Sequence, residues 1–190
     1  MTHDPMALPA DLPAPADDRA ASHLPGYAVP AISLPATTGE TVDLSTASQG
    51  RRLVVFAYPR TGVPGEDPLT PDWDAIPGAR GCTPELCSVR DVHADFVAAG
   101  VEVYGLSTQD GAYQREAAER LHLSYPLLSD AGFDLGAAMD LPSFSAAGQV
   151  LYCRLTMVIE DGVVRHVWYP VFPPHTHAGE VLAWLRRTPL

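Results

Sequence analysis

Residues 52–58 read RLVVFAY, residues 82–91 read CTPELCSVRD and residues 101–107 read VEVYGLS. The first is a near-continuous apolar run of strand length, the pattern of a strand buried on both faces. In the second, Thr83 can accept a bond from an orphan backbone N–H as an N-cap, and Pro84 fits the first helical position. Leu86, Val89, Val92, Phe96 and Ala99 then recur at helical spacing until Gly100 stops the element. The third stretch is strand-like again. Two strands joined through a helix form a parallel crossover unit, which sets the class as α/β.

Outward toward the N-terminus, Tyr27–Leu34 and Thr41–Leu44 flank Thr38-Gly39 and predict a hairpin. Residues 1–24 are rich in Pro, Ala and Asp and lack a period, which predicts a flexible acidic arm before one domain at 25–190. Toward the C-terminus, Asp110 caps a helix to about Leu121, Tyr125–Leu128 is a short strand and Phe133–Met139 a brief helix. Leu151–Ile159 and Val163–Tyr169 are strands joined through Glu160-Asp161-Gly162, and His177–Arg187 is amphipathic through Val181, Leu182 and Leu185. There are no internal repeats. This order predicts a thioredoxin-like three-layer sandwich, a mixed central sheet with helices on both faces.

With 190 residues, 46% of them hydrophobic, the chain can bury one core of ordinary size. The net charge is −11 and no basic run exists, which argues against binding along a nucleic-acid backbone. No apolar run approaches a membrane span, and the first residues lack a basic region followed by an apolar one. Three cysteines are too few for a disulfide-stapled scaffold, so a cytoplasmic protein with reduced thiols is expected.

Cys82 lies at the start of the helix, where backbone N–H groups and the macrodipole favour an anion. A thiolate there should have a lowered pKa and be reactive. The plainer alternative is a pair of buried structural cysteines. Residues five apart in an ideal helix have Cα atoms about 8.7 Å apart, beyond the ~7 Å limit of a disulfide. Cys82 and Cys87 can therefore bond only if the first turn unwinds, which disfavours a resting disulfide and allows a transient one. The spacing argues against a CxxC oxidoreductase. A metal site from Cys82, Cys87, His93 and His175 or His177 is disfavoured by their separation, and no metal or cofactor is expected.

Taken in order, YPR (58–60), GCTPELCSVRD (81–91), VYGLST (103–108), YPLLSD (125–130) and CRLTMVIEDGVV (153–164) resemble the peroxiredoxins. The resemblance runs from about Tyr27 to the C-terminus. The four residues between the cysteines are similar to the Q-type subfamily, also called bacterioferritin comigratory proteins. The resemblance implies that Cys82 is the peroxidatic cysteine and Cys87 the resolving one. Pro59 then shields the site, and Arg154 directs its guanidinium at the thiolate and peroxide oxygens.

The family also places a threonine three residues before the peroxidatic cysteine, where this chain has Ala79. An insertion at about 63–80 separates Pro59 from Cys82. Thr61 is the first candidate to supply the hydroxyl, ahead of Thr70, with Thr83 as a cap. The insertion is read as a tolerated surface loop, with a lid or docking surface as the functional alternative. Trp73 within it should lie on something apolar, and Cys153 should be a buried free thiol on the strand face opposite Arg154.

The expected function is a thiol peroxidase acting on hydrogen peroxide or organic hydroperoxides. It would be recycled by thioredoxin or a similar dithiol, as a monomer or homodimer. Two alternatives stand beside it: a thioredoxin-fold disulfide reductase, and a non-enzymatic redox sensor using the same cysteine pair.

Overall fold

The structure, a computed structural model, describes residues 4–188; residues 1–3 of the expected arm and 189–190 lie outside it. In chain order the elements are β1 (Ser33–Pro35), β2 (Thr41–Asp43), α1 (Leu44–Ala47), β3 (Arg52–Ala57), α2 (Cys82–Asp91) and α3 (His93–Ala98). They continue with β4 (Val101–Ser107), α4 (Gly111–Arg120), β5 (Leu127–Ser129), α5 (Asp134–Met139), β6 (Ser143–Ala146) and β7 (Gln149–Tyr152). The last are β8 (Leu155–Glu160), β9 (Val163–Trp168) and α6 (His177–Arg187).

The central sheet has the order β5-β4-β3-β8-β9. β3 pairs parallel with β4 and antiparallel with β8, in register Val54↔Val103 and Val54↔Val158. Every residue of β3 is buried, as its unbroken apolar run requires. Side chains alternate across the pleat. Val54, Phe56 and Tyr58 pack with Leu86, Val89, Phe96, Val181 and Leu185 of the helices α2, α3 and α6. Leu53, Val55 and Ala57 face the other layer, with Leu44, Leu135 and Met139 from α1 and α5. The three-layer α/β sandwich with a mixed sheet is the predicted architecture.

Several boundaries differ from the sequence reading, each for a local reason. The final hairpin turns on two residues, not three: Glu160 pairs with Val163, and Asp161 and Gly162 have φ of 49° and 73°, as a type I′ turn requires. β5 starts after Pro126, which has no N–H to donate to the ladder. The helix read as continuous to Ala99 breaks at Val92, where ψ is 13°. The strand read at Leu151–Ile159 is two strands. β7 pairs with β6 in a hairpin that the sequence reading missed, and β8 joins the central sheet. Arg154 therefore occupies the break between β7 and β8, not the middle of a strand.

Residues 4–24, expected as a flexible arm, run along the domain. Ala21 and Leu24 join the core, and Gly26 N–H donates to Val164 O at 2.8 Å. Arg80 donates to the carbonyls of Asp4 and Ala7. The insertion is anchored at one end and at its middle, by Ala79, Arg80 and Trp73. Trp73 is 5% exposed and clusters with Ala79, Ala146 and Leu151, and its ring lies 6.3 Å from that of Phe144. Truncating a tryptophan buried to this degree costs about 3–5 kcal/mol. Trp73 thus lies on apolar side chains as expected, within an insertion whose other residues are mostly exposed or half-buried.

Candidate active site

The candidate site forms where the chain leaves β3 and returns at α2. Gly81 sets the entry. Its φ of +103° is left-handed, and an added Cβ would lie 2.5 Å from Pro174 Cγ. The helix begins at Cys82 itself, with Gly81 as N-cap, so Thr83 does not cap it as expected. Cys82 thus lies in the first helical turn, still among the orphan N–H groups.

Cys82 is 1% exposed. Its sulfur receives Arg60 N–H at 3.3 Å and Arg154 Nη2–H at 3.2 Å, and the thiol faces Ala79 O at 3.6 Å. Pro59 helps fix the first of these contacts. Its carbonyl accepts the Ser107 hydroxyl at 3.1 Å, which pins the turn that aims the next N–H at the sulfur. Arg154 is held by the carbonyls of Arg80, at 3.1 Å, and Gly78, at 3.3 Å, and by an ion pair with Glu85. The insertion thereby supplies carbonyls that position the arginine.

Glu85 is the residue that sequence reasoning missed. It lies three residues after Cys82 on the same helix and is fully buried. The available signal was a carboxylate adjoining the buried Leu86–Val89 stripe, one turn from the cysteine. Burial pushes its carboxyl up to about 7 despite Arg154. Burial also raises the Cys82 thiol, Arg154 opposes that rise, and the Glu85 charge adds to it. The lowering expected from the helix terminus is therefore outweighed by burial in the closed site.

This arrangement makes a signed prediction. Glu85→Gln keeps the shape and removes a carboxylate that competes with the sulfur for Arg154. The Cys82 alkylation profile should move to lower pH, read from iodoacetamide rates; a move to higher pH would overturn the charge account.

Thr61 lines the same cavity as Cys82. Its N–H and hydroxyl both donate to Gln109 Oε1, at 2.9 and 3.1 Å. Thr83 also lines the cavity, and its buried hydroxyl has no partner among the described residues. Thr70 is absent from that wall. Cys87 is buried further along α2, free and unbonded to Cys82, and burial raises its thiol too. Cys153 is only half-buried, beside Tyr169, and burial raises its thiol. Among the described residues no group of three or more His, Cys, Asp or Glu could hold a metal ion. His93 pairs with Ser124 and His177 with Thr156, each at 2.9 Å.

A sandwich of this topology, with a buried cysteine at a helix start against an arginine, defines a thiol-active protein of the thioredoxin fold. The redoxin family profile matches residues 24–182. Peroxiredoxin Q of rice (Oryza sativa subsp. japonica), a chloroplastic protein, is 32% identical over 162 residues. That alignment covers 85% of this chain and 66% of the rice protein. Peroxiredoxin Bcp of Escherichia coli K12 is 31% identical over 165 residues, covering 85% of this chain and 94% of that one. The crystal structure of peroxidoxin BcpB from Mycobacterium tuberculosis superposes with a TM-score of 0.69 at 30% identity, over 88% of this chain and all of that one. The chain belongs to the redoxin family and, within it, to the Q-type, or Bcp, peroxiredoxins, and it spans about two thirds of the length of the chloroplastic relatives it matches.

Proposed function

We propose that Cys82 reduces peroxides and Cys87 resolves the product. The observation that carries this is the Cys82 sulfur held between Arg154 and the Arg60 N–H at 3.2 and 3.3 Å. Those donors stabilise a thiolate and the negative charge that develops on peroxide oxygens. The thiolate gives its electron pair to one peroxide oxygen, and the O–O bond breaks. The other oxygen leaves with a proton as water or alcohol, and Cys82 becomes a sulfenic acid.

Resolution requires motion. Both cysteines lie within α2, and five helical residues separate Cα atoms by about 8.7 Å. Once the first turn unwinds, Cys87 attacks the sulfenic sulfur, expels water and forms the disulfide. Thioredoxin or a similar dithiol then restores both thiols by exchange. Both cysteines and the donors around Cys82 come from one chain, so a monomer suffices for the steps before reduction by the dithiol. A reducing compartment such as the cytoplasm suits cysteines that must return to thiols.

The test is intact mass with thiol alkylation after one equivalent of hydrogen peroxide. The expected wild-type product has lost two hydrogens, mapped to Cys82–Cys87. Cys87→Ser should stop after one equivalent with a sulfenic adduct on Cys82. Normal turnover of that variant with thioredoxin would remove Cys87 from the resolving role.

A further inference from the structure

The N-terminal turn roofs the cavity beside Cys82. Within it the Asp4 carboxylate accepts Met6 N–H at 2.9 Å, and Asp4 O accepts Ala7 N–H at 3.2 Å. Arg80 clamps the turn from below: Nη2 donates to Asp4 O and Ala7 O, while Nη1 pairs with Asp74 at 2.9 Å. Leu8 sits on Gly81, its Cδ2 lying 3.1 Å from where a Cβ would stand. Met6 Sδ lies 4.0 Å from Cys87 Sγ. Pro5 is buried and walls the cavity with Arg60, Thr61, Trp73 and Tyr113.

That cavity holds about 60 Å³, room for a few water-sized groups. The other walls are built into the fold. Thr61 is tied to Gln109, Tyr113 donates to Thr61 O at 3.1 Å, and Trp73 is packed in its own cluster. Among the described residues the turn is tied to the domain by the Arg80 clamp, the Leu8 contact on Gly81 and the Met6 contact with Cys87, and it belongs to no helix or strand, so it is the wall that can yield.

We propose that residues 4–8, clamped by Arg80, filter the substrate by size, admitting hydrogen peroxide and the smallest alkyl hydroperoxides and excluding bulky ones. The filter rests on the peroxidase reading above. In it Pro5 is the specificity-determining contact, and Arg80 and Leu8 are positioning residues. A bulky hydroperoxide enters only when the turn lifts.

The experiment compares kcat/KM for hydrogen peroxide and cumene hydroperoxide in the full chain, as wild type, Arg80→Gln and Leu8→Gly. Wild type should strongly prefer hydrogen peroxide. Each variant should lower that preference at least about tenfold, the scale on which steric fit in a pocket discriminates. Because Arg80 O also holds Arg154, the Leu8 variant gives an independent reading away from the arginine. Equal use of both peroxides by wild type, or an unchanged ratio in both variants, would overturn the filter. Consumption of neither peroxide by wild type would overturn the peroxidase reading itself, and the filter with it.

Discussion

Cys82→Ser is expected to bring peroxide consumption down to the uncatalysed background, with the fold intact. The substitution is nearly isosteric at a fully buried site, so far-ultraviolet circular dichroism and the melting temperature should change little. The chemistry is lost because a serine hydroxyl does not ionise near neutrality, whereas a thiol can supply the thiolate that attacks. Arg154 and the Arg60 N–H would still point at that position, but at a group with no charge to stabilise. Cys87 does not replace it, since neither donor reaches that residue. The check is peroxide loss over time with a dithiol present, plus intact mass after one equivalent. Retained turnover, or an oxygen adduct forming on Cys87 as fast as wild-type Cys82 reacts, would sink the assignment of Cys82.

Arg154→Ala should cost about 10²–10³ in kcat/KM for hydrogen peroxide, the loss typical of a donor aimed at developing charge. The Cys82 thiol should rise further, because Arg154 is the main charge drawing it down. A second effect must be separated from the first. Removing the arginine leaves Glu85 buried without its ion-pair partner, and breaking such a pair costs on the order of 3–5 kcal/mol.

Glu85 can relieve part of that by staying protonated, and the direction follows from its pKa. Its folded value, about 7, lies above the ordinary 4.5. The folded state therefore binds the proton more tightly than the unfolded one, and stability falls as pH rises through that window. Without Arg154 the fall should continue to higher pH. The double variant Arg154→Ala/Glu85→Gln should recover stability but not rate. Thermal melts at pH 5 and 8 beside hydrogen peroxide kinetics decide this. A double variant with restored rate would make Arg154 a structural residue only.

The α/β class, the buried strand β3, the helix α2 and the two cysteines on it were all legible in the sequence. The periodicities that mark them are local, and so is the five-residue spacing that keeps Cys82 and Cys87 apart within α2. Pro59, Thr61 and Arg154 were reached through resemblance and lie at one end of the sheet, although Arg154 occupies a break rather than a strand. Glu85 was not reached, because its place beside the apolar Leu86–Val89 stripe does not by itself decide between core and solvent. Only the docking of α2 on β3 and the arrival of Arg154 from the break before β8 make it a buried partner.

The insertion and the N-terminal segment show the same limit more sharply. Both are rich in proline and lack any period, which is how an unpacked chain also reads. The insertion is ordered by contacts made far along the chain, from Trp73 to Leu151 and from Gly78 and Arg80 to Arg154. Asp4 and Ala7 are held by an arginine more than seventy positions away in sequence. The sequence by itself determined the elements and where the Cys82 sulfur sits on them, because local spacing encodes both. The tertiary structure decided which groups surround that sulfur and how much room they leave, because burial and long-range contact exist only once the chain has folded.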